Sequence, residues 1–384
     1  MIKKIFQATD MTQGTPWKAI AVFSIPMLIG NIAQQLYSTV DSIVVGHYIG
    51  DNALAAVGSA GPVLNMLLAL FLLIACGFII RKAKIVGEVD TKRFSSLVLK
   101  VAQPLMIFAA LSTAEPTVEN LKKGLIVMGF GFLSHVLMAA LAYLFCKAIR
   151  HPDERKITEF ALIFTNTGFI GFPIMASLFG ESEGSFLAAF YVISFHLFLW
   201  SWGIAVLGRG RDDIKLTPKK IFFNFGSVPC YLGVLVFLAM IPLRRHFQFE
   251  MPSAIVTFMN YLGQMCTPLS ALITGALLAT RSAKQVFGSL RIWILSFIKL
   301  IVIPLIICVV CGLICRLIGL DPMTYGLFCT VEAALPCAAT ITMLCELYDM
   351  DSGYASQLVG MTALLSAGTL PLVLIIARWI LQLL

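Results

Sequence analysis

From Ile20 to Leu384 the chain is built of one mostly apolar run after another, separated by short charged or Pro/Gly-containing breaks. A helix rises 1.5 Å per residue and needs about 20 apolar residues to cross a bilayer's hydrocarbon core. So many runs of that length cannot share one water-soluble core, and the expected fold is an all-α polytopic membrane protein. Composition agrees: 59% of residues are hydrophobic and 12% charged, against roughly 45–50% and about 25% in soluble domains. Because the runs recur along the whole length, a soluble enzyme with one anchor or a cleaved leader is excluded. Lys3 and Lys4 do precede the first run, but that run is long, contains Asp41 and has no small-residue cleavage site after it. It reads as a retained membrane helix.

Charge clusters, proline and glycine divide the chain into eleven expected spans. They cover residues 18–46, 62–81, 94–113, 122–147, 157–180, 185–208, 222–243, 253–280, 290–319, 324–347 and 353–381. With the N-terminus placed in the cytoplasm, twenty Lys and Arg fall in cytoplasmic loops and six outside. Basic residues accumulate on the cytoplasmic side, so the expected orientation is N-terminus inside and C-terminus outside. The net charge of +8 is then the cytoplasmic fringe of a membrane protein, and no nucleic-acid partner is expected. Most of the ten cysteines lie inside apolar runs, where they act as small buried hydrophobes.

The ten spans from residue 62 onward form two related sets of five. Gln103-Pro104-Leu105 and Thr267-Pro268-Leu269 share an offset of 164, and Pro173 and Pro336 an offset of 163. The expected domains are residues 1–61, a first repeat at 62–212 and a second at 213–384. Five is odd, so the second copy inserts upside down, the arrangement of secondary transporters with a substrate site between the repeats. The fourth span of each set reads Thr165-Asn166-Thr167-Gly168 onward to Pro173, and Glu332-Ala333-Ala334-Leu335-Pro336. A mid-span proline beside glycine or polar residues favours an interrupted helix, and freed backbone groups are tolerable where they line a cavity. Helix N-termini beyond such breaks suit an anion such as a carboxylate. A plain proline kink with no ligand is the competing reading.

These residues carry a resemblance. Leu73 to Lys82, Thr165 to Pro173, Glu332 to Pro336 and Thr369-Leu370-Pro371 resemble the auxin efflux carrier family over residues 62–384. The resemblance implies a ten-helix, five-plus-five inverted-repeat carrier whose fourth and ninth helices cross at their prolines, here Pro173 and Pro336. It implies small organic anions as substrates, auxin in plants and dicarboxylates such as malate or malonate in bacteria. Residues 1–61 instead resemble the first helix of a multidrug and toxic compound extrusion (MATE) transporter, through Met11-Thr12-Gln13-Gly14, Gln34-Gln35-Leu36-Tyr37, Asp41 and Ala53 to Gly58. The whole therefore reads as a ten-helix unit plus one extra N-terminal membrane helix. A MATE-type cation antiporter and a non-transporting fusion product are the alternatives.

The expected substrate-binding residues are Thr165, Asn166, Gly168, Pro173, Glu332 and Pro336. Glu332, Asp41 and Lys299 are ionisable inside spans, which makes each a coupling candidate. Glu332 is alternatively a neutral carboxyl bonded to nearby backbone, and Lys299 is better read as snorkelling to the cytoplasmic face than as a partner for an anion or for Glu332. His135 and His196 read as satisfied interior histidines rather than proton relays. Cys308, Cys311 and Cys315 share one helix face and read as a packing surface rather than a soft-metal site. Asn260, Gln264 and Thr267 are secondary site residues, and Trp200, Trp202 and Trp379 read as interfacial or packing residues. No nucleotide loop, metalloprotease helix or nucleophile elbow is present in the sequence, so neither an enzyme nor an ATP-driven pump is expected. No cofactor or metal is expected either. The expectation is a secondary carrier of small organic anions, in a bacterial inner membrane, coupled to a proton or sodium ion and forming a homodimer.

Overall fold

The computed structural model of the chain describes residues 68–384 apart from 212, 215, 216, 225 and 281–287. The first expected span, the MATE-like segment and Asp41 lie outside the described residues. Helix α1 occupies residues 68–82. It is followed by α2 (Glu88–Ser112) and α3 (Val118–Ala148), then by two half-helices, α4 (Pro152–Ile163) and α5 (Thr167–Phe179). Helix α6 (Glu181–Leu207) completes the first set. After a short helix α7 (Pro218–Phe222), the same order returns. It runs through α8 (Ser227–Phe247), α9 (Ser253–Leu278) and α10 (Leu290–Leu317) to the half-helices α11 (Pro322–Ala334) and α12 (Thr340–Leu347), and ends in α13 (Ser352–Leu383). Among the described residues seven helices are long and apolar enough to cross a membrane. The fold is all-α and polytopic, as the apolar runs require.

The half-helices sit deepest. Every residue of α11 from Leu327 to Ala334 is buried, as are Ile157 to Ile163 of α4. The hydrocarbon-length helices around them keep apolar side chains such as Leu125, Leu235 and Ile375 on the outside, as a lipid-facing surface requires. Close approach of helices is made by glycine. A methyl group placed on Gly77 of α1 would overlap the Leu272 carbonyl of α9, and one on Gly275 of α9 would overlap the Ile74 carbonyl of α1. The two backbones therefore touch, the packing that small residues permit between membrane helices.

Three prolines share one local solution. A five-residue π-turn precedes Gln103-Pro104 (Val98–Ala102), Phe172-Pro173 (Thr167–Gly171) and Ile303-Pro304 (Ile298–Val302). A proline inside a regular helix removes a hydrogen bond and clashes with the carbonyl one turn back. One extra residue in that turn widens it, and the helix continues past the ring.

Candidate functional site

The two half-helix pairs cross where their chains are extended. The Asn166 backbone N–H donates to the Pro336 carbonyl at 2.8 Å, and the Ala338 N–H donates to the Phe164 carbonyl at 3.0 Å. Between them Thr165 and Cys337 form an isolated antiparallel bridge. These bonds satisfy backbone groups that would otherwise be orphaned deep in the protein. They also correct one expectation. The first break lies at Phe164–Asn166, not at Pro173. Pro173 sits at the start of a regular helical stretch, past the π-turn that absorbs its ring. The residue facing Pro336 in the crossing is Asn166, and Phe164 occupies the equivalent place, so the proline match at offset 163 does not mark equivalent positions.

Two cavities lie on either side of the crossing helix. The smaller, of about 340 Å³, is walled by Thr165, Asn166 and Gly168 at the break, Gln103 and Lys100 of α2, His196 and Trp200 of α6, and Thr340 of α12. The larger, of about 680 Å³, is lined by Pro173, Ser177, Glu181, Asn260, Gln264 and Thr267 among others. A thin septum separates them. The Gln103 side chain lies directly over Gly168, where a methyl group would overlap it. The Thr267 hydroxyl donates to the Phe169 carbonyl at 3.1 Å. Phe169 and Cys266 then close the layer with Val98, Ala102 and Ile273.

The smaller cavity has the chemistry of an anion site. The first turns of α5 and α12 both line it, through Gly168 and Phe169 and through Thr340. Helix N-termini carry unsatisfied N–H groups and partial positive charge. Among the described residues, the ionisable side chains on its wall are Lys100 and His196. Asn166 is 6% exposed, and its side-chain amide makes no hydrogen bond to another described group.

The other sequence-selected residues lie elsewhere. Pro336 lends its carbonyl to the crossing but does not line the cavity. Glu332 is fully buried on α11, both carboxylate oxygens without a hydrogen-bond partner. It faces Gly171, where an added Cβ would be 3.3 Å from each oxygen. Lys299 does not snorkel. Its side chain is fully buried, and Nζ donates to the Leu162 carbonyl at 2.8 Å. That carbonyl belongs to the last turn of α4, one of the four that a helix leaves unpaired, so the ammonium caps a half-helix instead of reaching the membrane surface. Nor does it pair with Glu332.

The His135 Nδ1–H donates to the Gly131 carbonyl at 2.6 Å, and the ring packs among Phe164, Tyr191 and Phe198 with Nε2 buried and without a hydrogen-bond partner. Neither histidine is fully satisfied: His135 leaves Nε2 unpaired, and in His196, 7% exposed, both ring nitrogens lack a partner. Cys308, Cys311 and Cys315 are buried packing residues, with the Cys308 thiol 3.8 Å from the Ala377 carbonyl. Trp200 lines the smaller cavity, whereas Trp379 is exposed at 63%. Gln103 entered the sequence reading only through its proline neighbour, and Thr340 did not enter it. The signal that points to Gln103 is a long amide set one residue before a helix-breaking proline.

The family described as membrane transport protein matches residues 62–227 and 217–374. That match begins at residue 62, so it lends no support to a MATE-like segment before it. An uncharacterized transporter of Methanocaldococcus jannaschii is 27% identical over 325 residues, covering 82% of this chain and 97% of the relative. An uncharacterized transporter of Methanothermobacter thermautotrophicus is 25% identical over 322 residues, with the same coverage of each. Apolar helices of crossing length, a doubly broken core and a family match over most of the length converge on one identity: the chain belongs to the membrane transport protein family, and it is a multi-pass membrane transporter.

Proposed function

We propose that the chain carries small organic anions, carboxylates in particular, by alternating access between the two cavities. The observation that supports this most directly is the smaller cavity, where the first turns of two half-helices meet and the ionisable side chains among the described wall residues are a lysine and a histidine. A carboxylate there accepts from the first-turn N–H groups and from the Asn166 amide. The septum of Gln103, Gly168, Phe169 and Thr267 is the layer that must part on one side and re-form on the other. On this reading residues 62–212 and 213–384 are inverted repeats, and the matching element order on each side of α7 favours it. If the N-terminus is cytoplasmic, the smaller cavity, lined by Met343 and Leu347, opens toward the cytoplasm and the larger, lined by Glu181, toward the outside. Homodimer formation and location in a bacterial inner membrane belong to the same proposal.

Glu332 is assigned to coupling rather than to substrate. Its oxygens face Gly171 across the contact of α11 with α5, so ionisation would drive water or a cation into that contact and loosen it. The coupling ion assigned to Glu332 is a proton, with sodium as the competing ion. The test is uptake of labelled carboxylates into proteoliposomes. Removing a hydrogen bond to a charged group costs about 1.5–3 kcal/mol, or roughly ten- to hundredfold in affinity. Asn166→Ala is expected to lose transport by that factor, and Glu332→Gln to transport with a flattened pH dependence. Wild-type behaviour of both variants would sink the assignment.

A further inference from the structure

The turn that follows α6 grips both broken helices at once. It is closed by the Arg211 backbone N–H donating to the Gly208 carbonyl at 3.0 Å. At its centre Gly210 takes φ +70°, a left-handed conformation that suits glycine, and the arginines on either side of it reach different helices. Arg209 Nη1 donates to the Glu159 carboxylate of α4 at 2.6 Å. Arg211 Nη1 donates to the Tyr348 carbonyl, where α12 ends.

Both contacts are of kinds that hold. Glu159 is 1% exposed and takes a second guanidinium, from Arg155 at 3.0 Å, so its two oxygens are divided between its own helix and the turn. A buried carboxylate needs such partners far more than an exposed one does. The Tyr348 carbonyl is among those that a helix end leaves unpaired, and a cation there also meets the negative end of the helix. Asp213 steadies the same guanidinium through two bonds, at 3.0 and 2.6 Å. The helices so held carry walls of the smaller cavity: α4 runs into Thr165 and Asn166, and α12 supplies Thr340, Met343 and Leu347. At the crossing the two chains are already tied by the Asn166 and Ala338 backbone bonds. One tie leaves a hinge, and a second tie away from it fixes the angle.

We propose that Arg209 and Arg211 act as one clip and are positioning residues for the smaller cavity: by joining α4 to α12 through the Gly208–Arg211 turn, they fix the spacing of its walls and so its fit to the substrate. Neither arginine lines the cavity, so both act through the helices they hold. The consequence for fit rests on the smaller cavity being the substrate site, as proposed above; the mechanical tie does not.

The test is hydrogen exchange of the full chain in detergent, read by mass spectrometry over residues 159–168 and 340–348, for the wild type, Arg209→Gln, Arg211→Gln and the double variant. Each single variant is expected to speed exchange severalfold in both segments, although each arginine touches one of them, and the double variant should add little to the larger single effect. Arg211→Lys, which keeps a donor for the Tyr348 carbonyl, should restore slower exchange. Acceleration confined to the segment whose own contact was removed overturns the clip, as does none at all. If Arg209→Gln fails to fold, Arg211→Gln decides alone, through exchange at residues 159–168. In proteoliposomes the KM of the single variants for malonate should rise roughly tenfold with kcat changed less, because misplacing binding groups by about 1 Å is costly. A wild-type KM in variants with faster exchange overturns the positioning role. If the wild type takes up neither malonate, malate nor indole-3-acetate, the carboxylate reading fails, and the exchange measurement still decides the clip.

Discussion

Lys299 shows how a lysine is kept inside a bilayer without a counter-ion among the described residues. Its ammonium is fully buried and spends one proton on the Leu162 carbonyl. Desolvating such an ion costs several kcal/mol, and the carbonyl left behind by its removal costs about 1–3 kcal/mol. The first term outweighs the second. Lys299→Met is therefore expected to unfold in detergent at or above the wild-type temperature, yet to transport more slowly because the end of α4 is no longer pinned; a large loss of stability would contradict this. Outside the membrane, Arg211 donates to Asp213 and to the Tyr348 carbonyl at the end of α12. The guanidinium holds the Asp213 carboxyl below its usual range. A depressed carboxyl contributes stability that is full above its unfolded value, near 3.8, and fades as pH falls through the folded one. The difference in unfolding temperature between wild type and Asp213→Asn should accordingly shrink as pH drops from 7 to 3. At this scale the sequence shows which polar residues lie inside apolar runs but not their partners. Asn166 is legible as a polar side chain beside glycine in an apolar run, and it lies on the cavity. Lys299 and His196 were misread because their roles depend on which backbone lies across from them, on α4 and α8, and no spacing along α10 or α6 encodes that.

Among the helices, the contact of α1 with α9 is one in which glycine is indispensable. A Cβ on Gly275 would meet the backbone of Ile74, which cannot swing aside as a side chain would. Overpacking of this kind costs typically 1–3 kcal/mol, and Gly275→Ala should lower the unfolding temperature in detergent while Gly129→Ala, where an added Cβ meets nothing within 4 Å, should not. Helix extents were largely readable from hydropathy. The expected spans 290–319 and 353–381 fall close to Leu290–Leu317 and Ser352–Leu383, because crossing length is imposed by the bilayer. The expected spans 157–180 and 324–347 each resolve into two half-helices, and that interruption was legible too. Where the first chain breaks was not. Proline is a strong local signal, but a π-turn can accommodate it, whereas the extended Phe164–Asn166 is held by hydrogen bonds to Pro336 and Ala338 that exist only once the other half is in place.

For the whole molecule, charge and element order make the sharpest statement. The expected split of twenty basic residues on one side against six on the other favours the proposed inside N-terminus, and on that proposal a C-terminal alkaline phosphatase fusion at Leu384 should be active where a fluorescent protein fusion is dark. The reverse pattern would overturn the inside N-terminus and exchange the sides assigned to the two cavities. The three π-turns also bear on the molecule's tolerance of change. An α-helix advances about 100° per residue, so each extra residue at Val98–Ala102, Thr167–Gly171 and Ile298–Val302 sets the phase of everything downstream. Deleting one residue from the first of these would be no local repair. It would rotate Met106, Ala110 and Thr113 away from the larger cavity and turn lipid-facing side chains toward its wall. Point substitutions in these turns should therefore be tolerated far better than single-residue deletions, and the turns act as the indexing marks by which the two ends of each broken or bent helix are kept in step.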